Sequence, residues 1–381
     1  MSAAAELDTL LRLLGPADGT RPRPLVAALP WAPVGAGAVT LVEQVARRCR
    51  LAVRTHASAA GRGRPRVVRP VRGSLRNGLR DRLRRRAGSG YVASLPSGGP
   101  TLLDLLLQEA GVVPVSRPAV GADGAVRIAV RRGRQRAVLR MGRAGSAADP
   151  SPTMAGLHAL ARLEDPRLPA VLGSGERAEV RWLLETMLPG RRPRALSGAL
   201  LDDVAALVAT LPHGTAPVAV RDDAEVLAAA APDSAPAVRR AADSLAASPV
   251  GARSQLRHGD LWAGNLLADD SGLTGVVDWD AWSWGGVPAV DLLHLIGTDE
   301  RIRTRSSLGE VWLRRPWEDP RFTTLVGRHW PEWGADGEMR ALVGTAWWLG
   351  QLASDLRRNP ALAADRGWVS RNISAVAQRL P

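Results

Sequence analysis

The sequence predicts an α+β chain of two lobes, a small antiparallel-sheet lobe followed by a larger helical one, with an Arg-rich extension ahead of both. Three observations carry this expectation. Short apolar runs separated by Gly-containing turns fill the stretch between 111 and 187, the pattern of strands and tight turns. After Pro189-Gly190 the apolar residues recur every three to four positions, the spacing of helices. Residues 1–100 hold 18 Arg against five acids (Glu6, Asp8, Asp18, Glu43 and Asp81), which is +13 of the whole chain's +14. The 381 residues thus divide into an Arg-rich α/β region at 1–95, a sheet lobe at 96–188 and a helical lobe at 189–381.

Taken in order, Leu7, Leu10, Leu11 and Leu14 mark a short amphipathic helix at 3–14. A strand at 24–29, helices at 39–49 and 74–86, a Gly/Arg-rich loop at 61–66 and a connection at 87–100 holding a short strand at 91–95 follow. The sheet lobe opens with a helix at 101–110. A strand at 112–120, the turn Gly121-Ala122-Asp123-Gly124, a strand at 126–131, a turn at 133–136 and a strand at 137–141 form an antiparallel meander. A helix at 154–163 precedes a hairpin that turns at Gly173-Ser174-Gly175 and returns through 180–187. Helices are expected at 199–211, 223–231, 237–247, 287–295, 337–356 and 369–380, interrupted by a strand, a loop and a hairpin at 256–279.

Composition removes several chemistries. The chain has no Lys, so all 51 basic residues are Arg, and Schiff-base catalysis and the Lys-bearing phosphate loop are excluded. The lone Cys49 and the lack of a zinc-spaced Cys/His cluster fit a reducing compartment and no structural metal. No basic segment precedes the first apolar residues, and the uncharged run 24–42 is broken by Pro30, Pro33, Gly35 and Gly37, so neither a signal peptide nor a transmembrane segment is expected. A cytoplasmic protein is the resulting expectation. The Arg-rich first hundred residues could attract an anionic partner, a phosphate-rich molecule or an acidic membrane surface, or could simply be a solvated face.

The chemistry concentrates in Leu256-Arg257-His258-Gly259-Asp260-Leu261-Trp262-Ala263-Gly264-Asn265, a hairpin turn at Asp269-Asp270-Ser271-Gly272, and Asp278-Trp279-Asp280. Phosphoryl transfer requires an acceptor to orient the attacking hydroxyl and oxygen ligands to hold a divalent metal against nucleotide phosphates. Asp260, Asn265 and Asp278 supply all three. Asp260 and Asn265 sit at the two ends of a loop that Gly259 and Gly264 allow to curl, and the hairpin returns Asp278 to the same edge. The alternative is a capped helix start followed by ordinary hairpin acids.

These residues resemble the aminoglycoside phosphotransferase and choline kinase family, whose fold is protein kinase-like. His258, Gly259, Asp260, Asn265, Asp278, Trp279 and Asp280 match the family pattern in order. The resemblance is specific over 256–295, diffuse over 111–381 and absent from 1–95. It implies a small-molecule kinase that uses ATP or GTP with Mg2+ to phosphorylate a hydroxyl acceptor such as an amino sugar or amino alcohol. By the same resemblance Asp260 is the catalytic base, Asn265 and Asp278 ligate magnesium, Asp280 is a secondary acid near the metal or substrate, His258 braces the loop, and Asp291 anchors it.

The resemblance also implies a nucleotide between the lobes, its base read at a hinge at Glu185-Thr186-Met187 and its phosphates held by Arg140, on the strand where kinases usually carry Lys. Arg offers a planar fork rather than a compact ammonium. The helix after that strand carries no Glu to pair with the cation, and Asp149 and Glu164 lie at its ends. These two departures motivate a second reading, a nucleotide-binding pseudokinase. A third makes the chain a scaffold with an anion-binding N-terminal region. Trp262, Trp279, Trp282 and Trp284 crowd the motif, with Trp347 and Trp348 on a later helix, serving core packing or a cationic acceptor. Asp299, Glu300, Glu310, Glu318 and Asp319 are either ordinary surface or receptors for a polyamine.

Overall fold

A computed structural model of the chain describes residues 102–116, 118–121, 124–214 and 218–380. The elements expected within 1–95, and the anionic partner proposed for them, lie outside these residues. The described residues divide into two compact units, one made of those up to Met154 with Ala170–Met187 and the other of Ala155–Pro169 with those from Leu188 on.

Alternation builds the first unit. Helix α1 (Leu102–Glu109) precedes strands β1 (Val113–Pro114), β2 (Ala119–Val120), β3 (Val126–Arg132), β4 (Gln135–Arg143), β5 (Val171–Arg177) and β6 (Val180–Thr186). They form one sheet of order β1-β3-β4-β6-β5, with β2 also paired to β3 and every pairing antiparallel. Side chains on a strand alternate between faces. Ile128 and Val130, Leu139 and Met141, and Val180, Trp182 and Leu184 therefore share one face, where they bury with Leu102 and Leu106 of α1. Arg127, Arg140, Leu183 and Glu185 occupy the alternate positions, with Arg127 opposite Arg140 and Arg140 opposite Leu183 in register.

Three expectations change here. The strand expected at 112–120 is two short ones, because Pro114 and Pro118 supply no N–H to a continuous ladder. The hairpin between β5 and β6 turns at Ala178 and Glu179, with φ of 51° and 62°, and not at Gly173-Ser174-Gly175. Those glycines lie within β5 because Trp182 crosses them: a Cβ on Gly175 would sit 2.7 Å from the indole nitrogen. Helix α2 (Ser151–Leu160) starts earlier than expected, since Asp149 accepts the Ser151 N–H (2.9 Å) and hydroxyl (2.7 Å). Burial pushes the Asp149 carboxyl upward, but hydrogen bonds from Gly145 and Ser151 and the charge of Arg181 outweigh it and hold it below the ordinary value.

In the second unit, α3 (Gly198–Thr210), α4 (Val220–Ala230) and α5 (Ala235–Ala247) precede the functional stretch. Strands β7 (His213–Gly214), β8 (Ser254–Arg257) and β11 (Ser283–Gly286) form a three-stranded sheet of order β11-β8-β7. Between β8 and β11 lie a loop and the hairpin β9 (Leu266–Asp269) and β10 (Gly272–Val276). Helix α6 (Val290–Thr304) follows, then α7 (Leu308–Leu313), α8 (Pro320–His329), α9 (Pro331–Gly334) and α10 (Gly337–Arg358). Helix α6 runs about two and a half turns further than the apolar spacing at 287–295 foretells, because Thr298, Asp299, Glu300, Arg301 and Arg303 continue it with polar side chains. The helix expected at 369–380 is broken into Arg366–Val369, a π turn at Ser370–Ser374 and Ala375–Ala377. Among the described residues no helix is long and apolar enough to cross a membrane.

Candidate active site

Strand β8 delivers the chain into a loop that makes no regular ladder, so its backbone groups must find other partners. Side chains from three directions supply them. Asp291, in the first turn of α6 and 3% exposed, accepts the His258 N–H at 2.6 Å with one carboxylate oxygen and the Gly259 N–H at 3.0 Å with the other. Gln351 of α10 donates its amide to the Gly259 carbonyl (3.1 Å), and Asn265 donates its own to the Asp260 carbonyl (2.9 Å). Gly259 itself has φ of +80°, and a Cβ there would lie 2.1 Å from the Ala281 carbonyl oxygen. Left-handed backbone and close approach together admit only glycine between His258 and Asp260.

His258 is 1% exposed, and both ring nitrogens are engaged. Its Nδ1 lies 3.3 Å from the Asp260 N–H as acceptor, which leaves Nε2 as donor to the Val277 carbonyl at 3.0 Å. The ring also stacks against Trp279 at 4.5 Å, and the Trp279 indole N–H donates to the Val276 carbonyl (3.0 Å). With no nitrogen left over, His258 ties the loop to the segment that follows β10 and carries Asp278.

The loop projects one carboxylate. Asp260 is 42% exposed at its side chain, and its Oδ1 lies 3.7 Å from Nε2 of His294, a residue 4% exposed on the same face of α6 as Asp291. The His294 Nδ1 accepts the Trp347 indole N–H (3.1 Å), so Nε2 carries the hydrogen and faces Asp260. Asn265 and the segment leading into Asp278 run side by side: the Val277 N–H donates to the Asn265 carbonyl at 2.9 Å. Asp278 is exposed and sits at φ of 71°, a left-handed conformation that Asp tolerates better than most residues and that clusters at functional sites. Asp280 follows in the single turn Trp279–Ala281 and is half-buried.

Oxygen atoms alone are on offer for a metal. Because the Asn265 NH2 donates to the Asp260 carbonyl, its Oδ1 is the atom left for a cation, and Asp278 and Asp280 follow Val277, whose N–H donates to the Asn265 carbonyl. Among the described residues no cluster of three His, Cys, Asp or Glu could hold a metal by itself. One amide oxygen and one or two carboxylates is the partial set with which proteins hold magnesium when substrate phosphates complete the shell.

In the first unit Arg140 is 2% exposed on β4, on the sheet face opposite the apolar core, with Arg127 directly across from it. Glu185 pairs in register with Val138 on that face. The Met187 N–H donates to the Arg136 carbonyl at 3.3 Å, and the Met187 side chain is exposed. Asp149 is occupied as the cap of α2 and as partner of Arg181 (2.9 Å).

A cavity of about 270 Å3 opens on Asp260 within the second unit. Trp262, His294, Thr298, Arg301, Gln351 and Arg358 are among its walls. Of these only Trp262 was singled out by sequence reasoning. His294 was within reach, three residues past Asp291 and so on the same helical face. Gln351 carries no motif, and Arg127 is marked only by its place in the β3 alternation.

A sheet unit followed by a helical unit with this loop, hairpin and anchoring helix is the protein kinase-like architecture. The phosphotransferase enzyme family, APH, matches residues 114–325, more than half of the chain, and the chain belongs to that family; it is a small-molecule phosphotransferase. No curated protein sequence matches it. Among solved structures, it is similar to aminoglycoside phosphotransferase APH(3'')-Id from Streptomyces rimosus in complex with ADP and streptomycin, at 18% identity, over 65% of this chain and 97% of that one, with a TM-score of 0.43. For aminoglycoside phosphotransferase APH(4)-Ia the values are 18%, 71%, 96% and 0.43. For a fructosamine-3-kinase homologue from Haemophilus somnus they are 15%, 73%, 96% and 0.47.

Proposed function

We propose that this phosphotransferase moves the γ-phosphate of ATP or GTP to a hydroxyl of a small molecule that enters the cavity beside Asp260. The observation that carries the reading is the single solvent-reaching carboxylate of Asp260 on a loop whose neighbouring backbone is fixed by Asp291, Gln351 and Asn265. Preorganisation of this kind is what phosphoryl transfer asks of a protein, because the chemistry needs positioning and charge stabilisation more than covalent participation.

In this reading the acceptor hydroxyl donates its hydrogen to Asp260, which turns the oxygen lone pair toward the γ-phosphorus. The new oxygen–phosphorus bond forms as the bond to the β–γ bridging oxygen breaks, and the nucleoside diphosphate leaves. The proton passes to Asp260 or to the phosphorylated product. Magnesium, when bound with the nucleotide, neutralises phosphate charge, and Asn265 and Asp278 would hold it, with Asp280 behind them. His258 and Asp291 act as positioning residues. Arg140, with Arg127 beside it, supplies guanidinium donors for phosphate, and the chain at Glu185 and Met187 supplies the base-reading edge.

The absence of an acid along α2 favours one second reading, nucleotide binding without transfer. Thermal unfolding of the purified chain with ATP and GTP, each with and without magnesium, tests nucleotide use. Stabilisation that requires magnesium and disappears in Asp278→Ala supports the assignment. Equal stabilisation in Asp278→Ala removes that residue from the metal site. Magnesium-dependent binding with no γ-phosphate release, either to water or to a panel of hydroxylated metabolites, selects the second reading.

A further inference from the structure

The cavity beside Asp260 has a chemical gradient along its length. Its two long walls are α6 and α10, each leading away from the catalytic loop. At the loop end stand His294 and Gln351, the first 3.7 Å from Asp260 and the second hydrogen-bonded to Gly259. Seven residues further along each helix stand Arg301 and Arg358, and both line the cavity. Seven residues are about two helical turns, on the order of 10 Å. A carboxylate therefore faces two guanidinium groups over the length of a small metabolite.

The balance of charge at the far end is positive. Asp355 is the one carboxylate there among the described residues, and Arg358 holds it at 3.0 Å. Arg301 has no carboxylate within ion-pair distance among the described residues, and its Nε is buried without a hydrogen-bond partner. Thr298 Oγ1 and His294 Nε2, the latter 3.7 Å from Asp260, also lack a hydrogen-bond partner, so three polar atoms without a hydrogen bond follow one face of α6. Buried polar atoms of native proteins are nearly always satisfied, and a row of exceptions along a cavity wall points to a ligand.

The acids that could have received a polyamine are spoken for. Asp299 and Asp319 face Arg321, Glu300 faces Arg314, Glu318 faces Arg315, and Glu310 closes the capping box of α7 with Ser307. None lines the cavity. The volume of about 270 Å3 lies just below the roughly 300–1,000 Å3 typical of sites for drug-sized ligands.

Resting on the phosphotransfer reading above, we propose that the acceptor is a small hydroxylated anion, with its carboxylate or phosphate held between Arg301 and Arg358 and its hydroxyl presented to Asp260. Guanidinium forks match planar and tetrahedral oxyanions and bind them with charge-assisted hydrogen bonds. A polycationic amino sugar would set like charge against both arginines.

The test uses the full chain without nucleotide, so it is independent of turnover. Inorganic phosphate and acetate are titrated while the side-chain Nε–Hε resonances of the arginines are followed, with Arg301→Met and Arg358→Met providing assignment. Saturable shifts of Arg301 and Arg358 with either anion, weakened roughly tenfold or more in each variant, are expected. A response to phosphate alone assigns a phosphate monoester, and a response to acetate alone assigns a carboxylate. Arg358→Gln, at a largely exposed position, repeats the measurement should Arg301→Met fail to fold. No shift of either arginine with either anion overturns the proposal, as does glucosamine binding in the cavity that weakens in Asp355→Asn. Anion shifts at both arginines in a chain that binds neither ATP nor GTP would uphold the anion site while overturning the phosphotransfer reading, so the two claims fail separately.

Discussion

The two units fix the side chains proposed to act in phosphotransfer by different means. In the sheet unit, Arg140 and Glu185 take their places from strand alternation over a buried apolar face, and the backbone bonds are those of the ladder itself. In the helical unit, Asp260 sits on an irregular loop held by buried polar side chains from α6, α10 and the loop's own far end at Asn265. Apolar packing degrades gradually when a side chain changes, whereas a buried hydrogen-bond network that loses one member leaves the others unpaired. The sheet unit should therefore tolerate substitution that the catalytic loop does not.

Asp291→Ala breaks this contrast open most severely. It strips the acceptor from two backbone N–H groups and should cost about 3–4 kcal/mol of stability, read by denaturant unfolding. A cost below about 1 kcal/mol would mean that the loop carries its own order. Gly259→Ala comes next, at roughly 2–3 kcal/mol, since a methyl group cannot be placed 2.1 Å from the Ala281 oxygen without moving the loop.

The matching changes in the sheet unit should be smaller. Gly175→Ala meets Trp182, whose indole N–H reaches Glu109 at 3.3 Å, and should cost about 1–2 kcal/mol as the ring shifts. Asp149→Ala removes the cap of α2 and should cost about 1 kcal/mol at neutral pH. The folded Asp149 carboxyl lies below its ordinary value, so its contribution is complete above the unfolded pKa of about 3.9 and is lost as pH falls through the lower folded value. Wild type and Asp149→Ala should therefore converge only in strong acid; a constant gap down to that point and beyond would assign the effect to packing.

Sequence legibility follows the same division. The loop proposed to carry the chemistry was readable as a unit because His258, Gly259, Asp260, Asn265 and Asp278 form a local pattern, with structural contacts made within a few residues or across one hairpin. Strand positions in the sheet unit were readable from alternation. What escaped was non-local. The glycines of β5 look like a turn unless Trp182 is known to cross them, and α6 looks shorter because polar residues line the cavity where an apolar stripe would otherwise continue. Gln351 and Arg358 reach the site only because α10 packs beside α6, a neighbourhood that no spacing records.

The central claim is that Asp260 orients the acceptor and does not serve to bind nucleotide. The most direct measurement takes wild type and Asp260→Asn through γ-phosphate release, with water and with hydroxylated anions as acceptors, alongside nucleotide affinity on the same preparations. Turnover in Asp260→Asn should fall about 100- to 10,000-fold while nucleotide affinity stays within about twofold. Turnover retained in Asp260→Asn, with binding equally intact, would contradict the account.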